Sequence, residues 1–181
     1  IMSFTKIGKN NIFHQGSTIG GIPQDLKFTN EETCLIIGDN NIIREYCTFN
    51  RGTNHSHKTV IGSNCLFMTY VHIGHDCIIK DNVILANGVQ LGGHSEIHYH
   101  AIVGGMTPVH QFCKVGEHSF IGGGRVILQD VPPYILANGE PLKYSGINSV
   151  GLRRRNFSLQ KRNLIKSAYK ILYLSNLNTS Q

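Results

Sequence analysis

Histidines recur at a spacing that could build one catalytic edge. His75 is followed directly by Asp76, while His94 and His110 come farther along the chain at roughly regular intervals. A neutral imidazole near pH 7 can take a proton from a hydroxyl group, and a nearby carboxylate fixes its tautomer and raises its basicity. A single histidine is most often an ordinary surface residue, but the clustering favours a functional role. The residues therefore make His75, beside Asp76, a candidate for proton-transfer chemistry.

A six-residue repeat would position these histidines. Large aliphatic residues or Phe occupy every sixth position, called slots here, and only slots 25, 31 and 55 depart from the rule. A period of six does not fit an α-helix and is typical of a β-helix built from hexapeptides. We predict an all-β fold, a left-handed parallel β-helix in which three hexapeptides close each triangular coil. The slot residues, which should fill the prism interior, are Ile1, Ile7, Phe13, Ile19, Ile37, Ile43, Phe49, Ile61, Phe67, Ile73, Ile79, Leu85, Leu91, Ile97, Val103, Val109, Val115, Ile121 and Ile127.

Two further positions of the hexapeptide carry a structural expectation. Glycine often follows the slot, where we expect a bend that tolerates little side chain or requires positive φ. The residue two before the slot is small and should also point inward, because strand side chains alternate between the two faces. Four of the five cysteines occupy this position, so we expect core residues rather than a catalytic thiol, a disulfide framework or a zinc ribbon. These four are Cys47, Cys65, Cys77 and Cys113.

The repeat predicts which side chains share an edge of the prism. Residues three hexapeptides apart should stack, separated by one strand spacing of about 4.8 Å. His75, His94 and His110 therefore fall along one edge, and His72 lies just before the same corner. None of them occupies a slot, so we expect their side chains to project outward.

Two polar stretches and a proline pair organise the chain. We predict loops at about residues 21–34 and 54–58 that project from otherwise regular coils, because the six-residue repeat continues in phase after each of them. Pro132 and Pro133 should end the sheet ladder, so we assign residues 1–131 to the β-helix and 132–181 to a C-terminal extension. Ser158 is a candidate N-cap for a basic amphipathic helix there. Its predicted apolar side consists of Leu164, Ile165, Ala168, Tyr169, Leu172 and Tyr173.

Charge and composition restrict the class of protein. Residues 141–181 contain eight Lys or Arg and no acidic residue, a formal charge of +8 against +6 for the whole chain. Such a segment favours an acidic partner, which could be nucleic acid, anionic lipid or an acidic protein. The sequence has no run of about 18 apolar residues and no signal-peptide pattern. We therefore expect no membrane span. The five cysteines, without a CxxC pair, fit the reduced thiols of a cytoplasmic protein.

Several stretches of the chain match a known family pattern more specifically than the hexapeptide repeat does. The most diagnostic are residues 110–112 and 151–155. The others are residues 24–27, 43–45, 51–53, 72–77, 84–87, 93–94, 104–107 and 129–134, together with Asn148. On these residues, nearly the whole chain resembles the UDP-N-acetylglucosamine O-acyltransferase family, which begins lipid A synthesis.

The resemblance implies transfer of a β-hydroxyacyl chain from acyl carrier protein to the 3-hydroxyl of UDP-N-acetylglucosamine, in a homotrimer with sites between neighbouring prisms. It implies His75 as general base, Asp76 as its orienting partner and the Gly93 amide as a donor to the oxyanion. It implies no metal and no cofactor, because the phosphopantetheine thioester of acyl carrier protein is a co-substrate. The acidic carrier protein would dock on the basic extension. The implied substrate-binding residues are Gln24, Asp25 and Lys27 at the sugar and phosphate end; His72, His94, His110 and Gln111 near the sugar and thioester; Gly123, which would allow a long acyl chain; and Asn148, Arg154 and Arg155 at the nucleotide diphosphate.

Other functions stay open on the residues alone. Edge histidines could bind Zn²⁺ in a hydratase like the γ class of carbonic anhydrase, although residues 24–27 and 153–155 have no role in that chemistry. The chain could also be a structural or inactive hexapeptide-repeat subunit. Nucleic-acid binding is not favoured, because the aromatic residues of the basic extension fall largely on the apolar side of its helix. The sequence does not distinguish a 3-hydroxyl from a 3-amino acceptor.

The chain also departs from the family pattern. Asn50 stands where family members often have His, and Val150 replaces an acidic residue near the nucleotide motif. Family members usually have more N-terminal hexapeptides and a longer C-terminal helical domain. We therefore expect a fragment or truncated chain rather than a naturally shortened relative.

Overall fold

The structure, a computed structural model that describes residues 1–174, is a left-handed parallel β-helix with short helices at its C-terminal end. Three parallel sheets form the faces of a triangular prism, and the chain passes through sheets A, B and C in turn. This confirms the predicted fold class.

Each sheet takes one strand from each regular coil. Sheet A contains β1 (Thr5–Ile7), β4 (Cys34–Ile37), β7 (Lys58–Ile61), β10 (Ile78–Ile79), β13 (Glu96–Ile97) and β16 (Lys114–Val115). Sheet B contains β2 (Ile12–Phe13), β5 (Ile42–Ile43), β8 (Leu66–Phe67), β11 (Ile84–Leu85), β14 (Ile102–Val103), β17 (Phe120–Ile121), β18 (Ile135–Asn138) and also β19 (Lys143–Ile147), which pairs antiparallel with β18. Sheet C contains β3 (Thr18–Gly21), β6 (Thr48–Asn50), β9 (His72–Ile73), β12 (Gln90–Leu91) and β15 (Pro108–Val109). The helices are α1 (Ser149–Arg154) and α2 (Leu159–Leu174).

The strand register explains how the repeat survives its two interruptions. In the regular coils partners are three hexapeptides apart, as Leu85 and Val103 are. The coil from Thr5 to its partner Leu35 contains two extra hexapeptides, and the coil from Leu35 to its partner Thr59 contains one. The surplus forms loops at residues 22–33 and 51–57, both of which leave the prism after sheet C. Because both insertions are whole hexapeptides, every later slot still points inward.

Slot residues fill the prism interior. From Ile19 to Ile127 every aliphatic or Phe slot side chain is buried, and the rings of Phe49 and Phe67 meet edge to face with centroids 5.0 Å apart. The first coil differs from the prediction: Ile1 is 74% exposed, and Ile7 and Phe13 are only partly buried. These slots belong to the outermost coil, which packs against another coil on one side only.

The small residues two before each slot are core residues, as predicted. Cys47, Cys65, Cys77 and Cys113 are free and buried. Burial raises the pKa of the Cys47 and Cys65 thiols to about 11 and that of Cys77 to about 12. These thiols therefore stay protonated near neutral pH and are inert packing groups.

Regular corners are made by a residue three positions after a slot in the left-handed conformation. At the corner between sheets C and A, φ is 59° at Asp76, 63° at His94 and 66° at Phe112. The glycines that directly follow a slot serve another purpose, and among them only Gly20 has positive φ. A Cβ added to Gly74 would lie 2.8 Å from the carbonyl oxygen of Leu91 in the next coil. Close approach of successive coils, rather than positive φ, therefore requires glycine at that position.

The C-terminal end differs in part from the prediction. Val131 still bridges Val115, and β18 pairs in parallel with β17, so the ladder continues past Pro132 and Pro133. The division of the chain at residue 131 stays a prediction.

Helix α2 begins where predicted, because the Ser158 hydroxyl oxygen accepts from the Lys161 amide at 3.2 Å. Its predicted apolar side is wrong in part: Tyr169 is buried and stacks on Tyr144, but Leu164, Ala168 and Leu172 are exposed. Within the described residues α2 packs on β19 through Tyr169 and Tyr173, which stack on Tyr144, so only part of its apolar side is covered. Within residues 1–174 neither helix is long and apolar enough to cross a membrane.

The register predicts which substitutions disrupt the fold. Leu85→Ala removes a fully buried slot side chain and should lower the free energy of unfolding by about 2–5 kcal/mol. Leu128→Ala is the matched control, because Leu128 is 68% exposed, and it should change the stability by less than about 0.5 kcal/mol. Chemical denaturation measures both; equal losses would contradict the assignment of Leu85 to the core.

Candidate functional site

His75 and Asp76 form a hydrogen-bonded pair at the corner between sheets C and A. The Nδ1 atom of His75 lies 2.8 Å from Oδ2 of Asp76. When the carboxylate is ionised it accepts only, so Nδ1 carries the proton and Nε2 of the neutral ring has a free lone pair. The pair that the sequence suggested by adjacency is therefore in contact. Both residues are more covered than an outward-facing corner implies, with His75 only 9% exposed.

The loop at residues 51–57 covers this pair and surrounds the carboxylate with donors. Both Asp76 oxygens lie 3.1 Å from the Thr53 amide nitrogen, and Oδ2 accepts from the Thr53 hydroxyl at 2.6 Å. The Ser56 amide and hydroxyl donate to Oδ1. Burial alone would raise the pKa of the Asp76 carboxyl, but hydrogen bonds from Ser56, Thr53 and His75 together outweigh burial and lower this pKa to about 2. Asp76 is therefore a fixed anion at any physiological pH.

Gly93 lies in direct contact with the imidazole of His75. A Cβ added to Gly93 would lie 2.5 Å from Cε1 and 2.6 Å from Nε2 of His75, so a side chain at this position is incompatible with the observed ring position. The register places His75, Gly93 and Gln111 in one column, one to each successive coil. Among the described residues no backbone or side-chain acceptor contacts the Gly93 amide. The amide is thus an available donor beside the His75 ring.

His94 packs against His75 as the second histidine of the site. Its ring meets that of His75 almost perpendicularly, with centroids 5.1 Å apart, and its other neighbours are Phe112, stacked at 4.4 Å, and His55, edge-on at 4.7 Å. The Nε2 atom lies 3.9 Å from the Asp76 carboxylate. Burial lowers the pKa of His94 more than the Asp76 charge raises it. The structure therefore brings His94 and His75 together, as predicted.

The other residues predicted near His75 make fewer contacts with the His75–Asp76 pair. His72 is half-buried on the outer face of sheet C, and its Nδ1 contacts the Thr48 hydroxyl at 2.7 Å. Burial, with the charge of His75 second, lowers the pKa of His72. Gln111 and His110 are exposed, and Nδ1 of His110 contacts the Gln111 carbonyl oxygen. His110 shares its column with Gly92, one position before that of His75, and makes no ring contact with the other histidines of residues 1–174.

The 22–33 loop approaches the same corner. Asp25 is partly buried, accepts from the Lys27 amide at 3.0 Å, and its charge acts to raise the pKa of His94. Gln24 and Lys27 are exposed. Both inserted loops therefore project beside His94, and their predicted substrate contacts stay predictions.

The predicted nucleotide-binding residues lie on another edge. Asn148 caps α1: its Oδ1 accepts from the Gly151 amide at 3.0 Å, and its Nδ2 donates to the His118 carbonyl oxygen at 2.9 Å. His118 occupies the corner between sheets A and B. Burial lowers the pKa of Arg155, whose guanidinium approaches the same carbonyl at 3.5 Å, while Arg154 is exposed.

Gly123 lies on the third edge. It follows Ile121 of β17 at the corner between sheets B and C and stacks on Gly105. The His75–Asp76 pair, the arginine motif and Gly123 therefore occupy three different edges. A single prism does not bring these three groups together.

A metal ion fits this carboxylate poorly. Ligand atoms of His75, Asp76 and His94 lie within 4.8 Å of one another, which is close enough to consider a shared ion. Both Asp76 oxygens already accept from Thr53, Ser56 and His75, so a metal would have to displace those donors. The hydrogen bonding favours an oriented imidazole base, and the zinc hydratase hypothesis is not favoured.

Four residues of the site were not predicted from the sequence. Thr53 and Ser56 donate hydrogen bonds to Asp76, and the rings of His55 and Phe112 pack against His94. The repeat could have predicted the contact of Phe112 with His94, because Phe112 lies one regular coil after His94. The loop residues break the repeat, and no periodicity predicts where an insertion folds.

Comparison with known proteins agrees with this geometry. The sequence profile of UDP-N-acetylglucosamine O-acyltransferase domain 2 matches residues 130–181, and that of six bacterial transferase hexapeptide repeats matches residues 58–93. A solved UDP-N-acetylglucosamine acyltransferase from Bacteroides fragilis superimposes with a TM-score of 0.97 at 46% identity, covering 99% of this chain and 70% of that one. The chain belongs to the UDP-N-acetylglucosamine O-acyltransferase family.

Other family members show the same extent of similarity. The UDP-N-acetylglucosamine O-acyltransferase structure from Moraxella catarrhalis has a TM-score of 0.94 at 44% identity and covers 96% of this chain and 68% of that one. The acyl-[acyl-carrier-protein]–UDP-N-acetylglucosamine O-acyltransferase of Aliarcobacter butzleri is 53% identical over 168 residues, 92% of this chain and 65% of that one. The corresponding protein of Thiobacillus denitrificans is 50% identical over 166 residues, 91% and 64% of the two chains. The chain thus spans slightly less than two thirds of the length of these curated relatives.

The contact between Gly93 and His75 generates a prediction. Gly93→Ala should leave the fold intact but displace the His75 ring, because the new Cβ would overlap it. In a crystal structure of the variant, the distance from Nδ1 to the Asp76 carboxylate should exceed the hydrogen-bond limit of about 3.5 Å. An unmoved imidazole that keeps its bond to Asp76 would contradict the proposed packing of the site.

Proposed function

We propose that this chain transfers a β-hydroxyacyl group from acyl carrier protein to the 3-hydroxyl of UDP-N-acetylglucosamine. The observation that carries the proposal is the hydrogen bond of His75 Nδ1 to an Asp76 carboxylate with a pKa of about 2. Membership of the family and the name of the A. butzleri relative support the substrates. The product would enter lipid A synthesis.

These residues suggest an acyl transfer in which His75 takes a proton from the sugar hydroxyl and returns it to the leaving thiolate. Nε2 of His75 accepts the proton of the sugar hydroxyl as its oxygen bonds to the thioester carbon. The Gly93 amide stabilises the negative charge that develops on the carbonyl oxygen. The carbon–sulfur bond then breaks, and the imidazolium returns the proton to the departing phosphopantetheine thiolate. Asp76 stabilises the imidazolium throughout. No cofactor is needed, because the thioester is a co-substrate.

The other predicted residues would bind the two substrates. Gln24, Asp25 and Lys27 would contact the sugar and phosphate, with His72, His94, His110 and Gln111 lining the reacting region. Asn148 would keep α1 in place, so that Arg154 and Arg155 can bind the diphosphate through charge-assisted hydrogen bonds. Gly123 would admit a long acyl chain.

An assembly of three prisms would unite these groups. Because they occupy three edges of one prism, a site formed between neighbouring copies of the chain explains their separation. The basic residues of the C-terminal extension would attract the acidic acyl carrier protein. We propose a homotrimer with intersubunit sites, acting in the cytoplasm.

One assay tests the proposed function. The purified chain, incubated with β-hydroxyacyl carrier protein and UDP-N-acetylglucosamine, should form acylated sugar nucleotide, detected by mass spectrometry. His75→Ala should reduce the rate at least about 10²-fold, because a general base contributes about 10²–10⁴-fold. His110→Ala is the control, since His110 lies outside the hydrogen-bonded pair, and its effect should be smaller.

The outcomes separate the alternatives. No product from folded wild type would favour a structural or inactive subunit. Product from His75→Ala at the wild-type rate would reject His75 as base. Supplying the 3-amino analogue of the acceptor in a parallel reaction determines which acceptor atom is used.

A further inference from the structure

We propose that Thr53 and Ser56, on the loop inserted at residues 51–57, are positioning residues that clamp the Asp76 carboxylate and through it the imidazole of His75. The proposal rests on the function proposed above and assigns a role to the second interruption of the repeat. Neither hydroxyl is proposed to touch the substrate.

The contacts occupy both carboxylate oxygens. Oδ2 accepts from His75 Nδ1 at 2.8 Å and the Thr53 hydroxyl at 2.6 Å, while the Thr53 amide is shared between Oδ1 and Oδ2. Oδ1 accepts from the Ser56 amide at 3.3 Å and from the Ser56 hydroxyl. A carboxylate has about four lone-pair sites, so this side chain, none of which is solvent-exposed, has no freedom to rotate.

The Ser56 hydroxyl has a choice of acceptor. Its single proton lies within reach of Asp76 Oδ1 and of the Lys58 carbonyl oxygen at 2.9 Å. An ionised carboxylate is the stronger acceptor. The proton is therefore assigned to Asp76.

The loop is built as a fixed platform. The His57 amide donates to the Thr53 carbonyl oxygen at 2.8 Å, and the Cys34 amide donates to the His57 carbonyl oxygen at 2.9 Å, which ties the loop to β4. Gly52 packs so closely that a Cβ would lie 2.3 Å from the Lys58 nitrogen. The insertion thus presents its hydroxyls and amides in one geometry, as pre-organised donors do.

Fixing both oxygens fixes the imidazole. Because Asp76 accepts the Nδ1 proton in one direction only, the Nε2 lone pair of His75 also points in one direction. Loss of a donor would let the carboxylate rotate and would leave its burial less compensated. The rate of the chemical step would then fall, whereas the affinity for the sugar nucleotide would stay the same.

Kinetics of four variants test the clamp. Ser56→Ala and Thr53→Val should each lower kcat about tenfold, the lower end of effects seen when a supporting hydrogen-bond partner is removed, with KM for UDP-N-acetylglucosamine within about twofold of wild type. Ser56→Thr should restore most of kcat, because it keeps the hydroxyl. Asn54→Ala is the matched control, since Asn54 is exposed on the same loop, and should leave kcat unchanged.

A titration that does not depend on activity separates this proposal from the proposed function. The pKa of Asp76, followed by ¹³C NMR of its carboxyl carbon, should be near 2 in wild type and at least about one unit higher in each donor variant. His75 and His94, the titratable groups that face Asp76, are retained in all variants. Thermal unfolding establishes that each variant is folded before it is titrated.

The results decide between the two claims. An Asp76 pKa unchanged in both donor variants, or full kcat in both, would overturn the clamp. Absence of product from wild type together with a raised Asp76 pKa in the variants would reject the proposed function and retain the clamp.

Discussion

Parallel backbone pairing between successive coils is the interaction on which the rest of the structure depends. A regular coil returns after three hexapeptides to the strand beneath it, so residues three hexapeptides apart stack in one column. Inward columns build the core, and corner columns place polar groups one strand spacing apart. The pair at His75 and its neighbour His94 are close because of this register, without any helix or domain interface.

The register also limits what one prism can do. Its three edges point away from one another, so residues on different edges cannot meet within a single chain. The His75–Asp76 pair follows sheet C, whereas Asn148 packs against the edge that follows sheet A. This separation gives a physical reason to expect that a complete substrate site needs more than one copy of the chain.

The six-residue repeat predicted the core residues and the neighbours along an edge. It did not predict the contacts of residues in the inserted loops. The buried cysteines, the inward slots from Ile19 onward and the contact between His75 and His94 all follow from counting residues. The donors Thr53 and Ser56 lie in an insertion, and their contact with Asp76 depends on tertiary packing that no repeat encodes. The exposure of Leu164 on α2 was missed for a related reason, because helical periodicity shows an apolar side but not the area available to cover it.

Charge at the site results from a balance that only the structure reveals. Burial of Asp76 opposes ionisation, and the surrounding hydrogen bonds reverse that effect. Proximity in sequence to His75 could not establish this balance, because it depends on a loop from the preceding coil.

The central claim is that Asp76 holds the His75 imidazole with a proton on Nδ1 and the lone pair of Nε2 free. Long-range ¹H–¹⁵N NMR of the histidine rings near pH 7 tests it most directly. The account predicts a His75 signal with a protonated Nδ1 and an unprotonated Nε2, and loss of this single tautomer in Asp76→Ala. A His75 ring protonated at Nε2 in the wild-type protein would contradict the account, because the nitrogen required as base would already carry a proton.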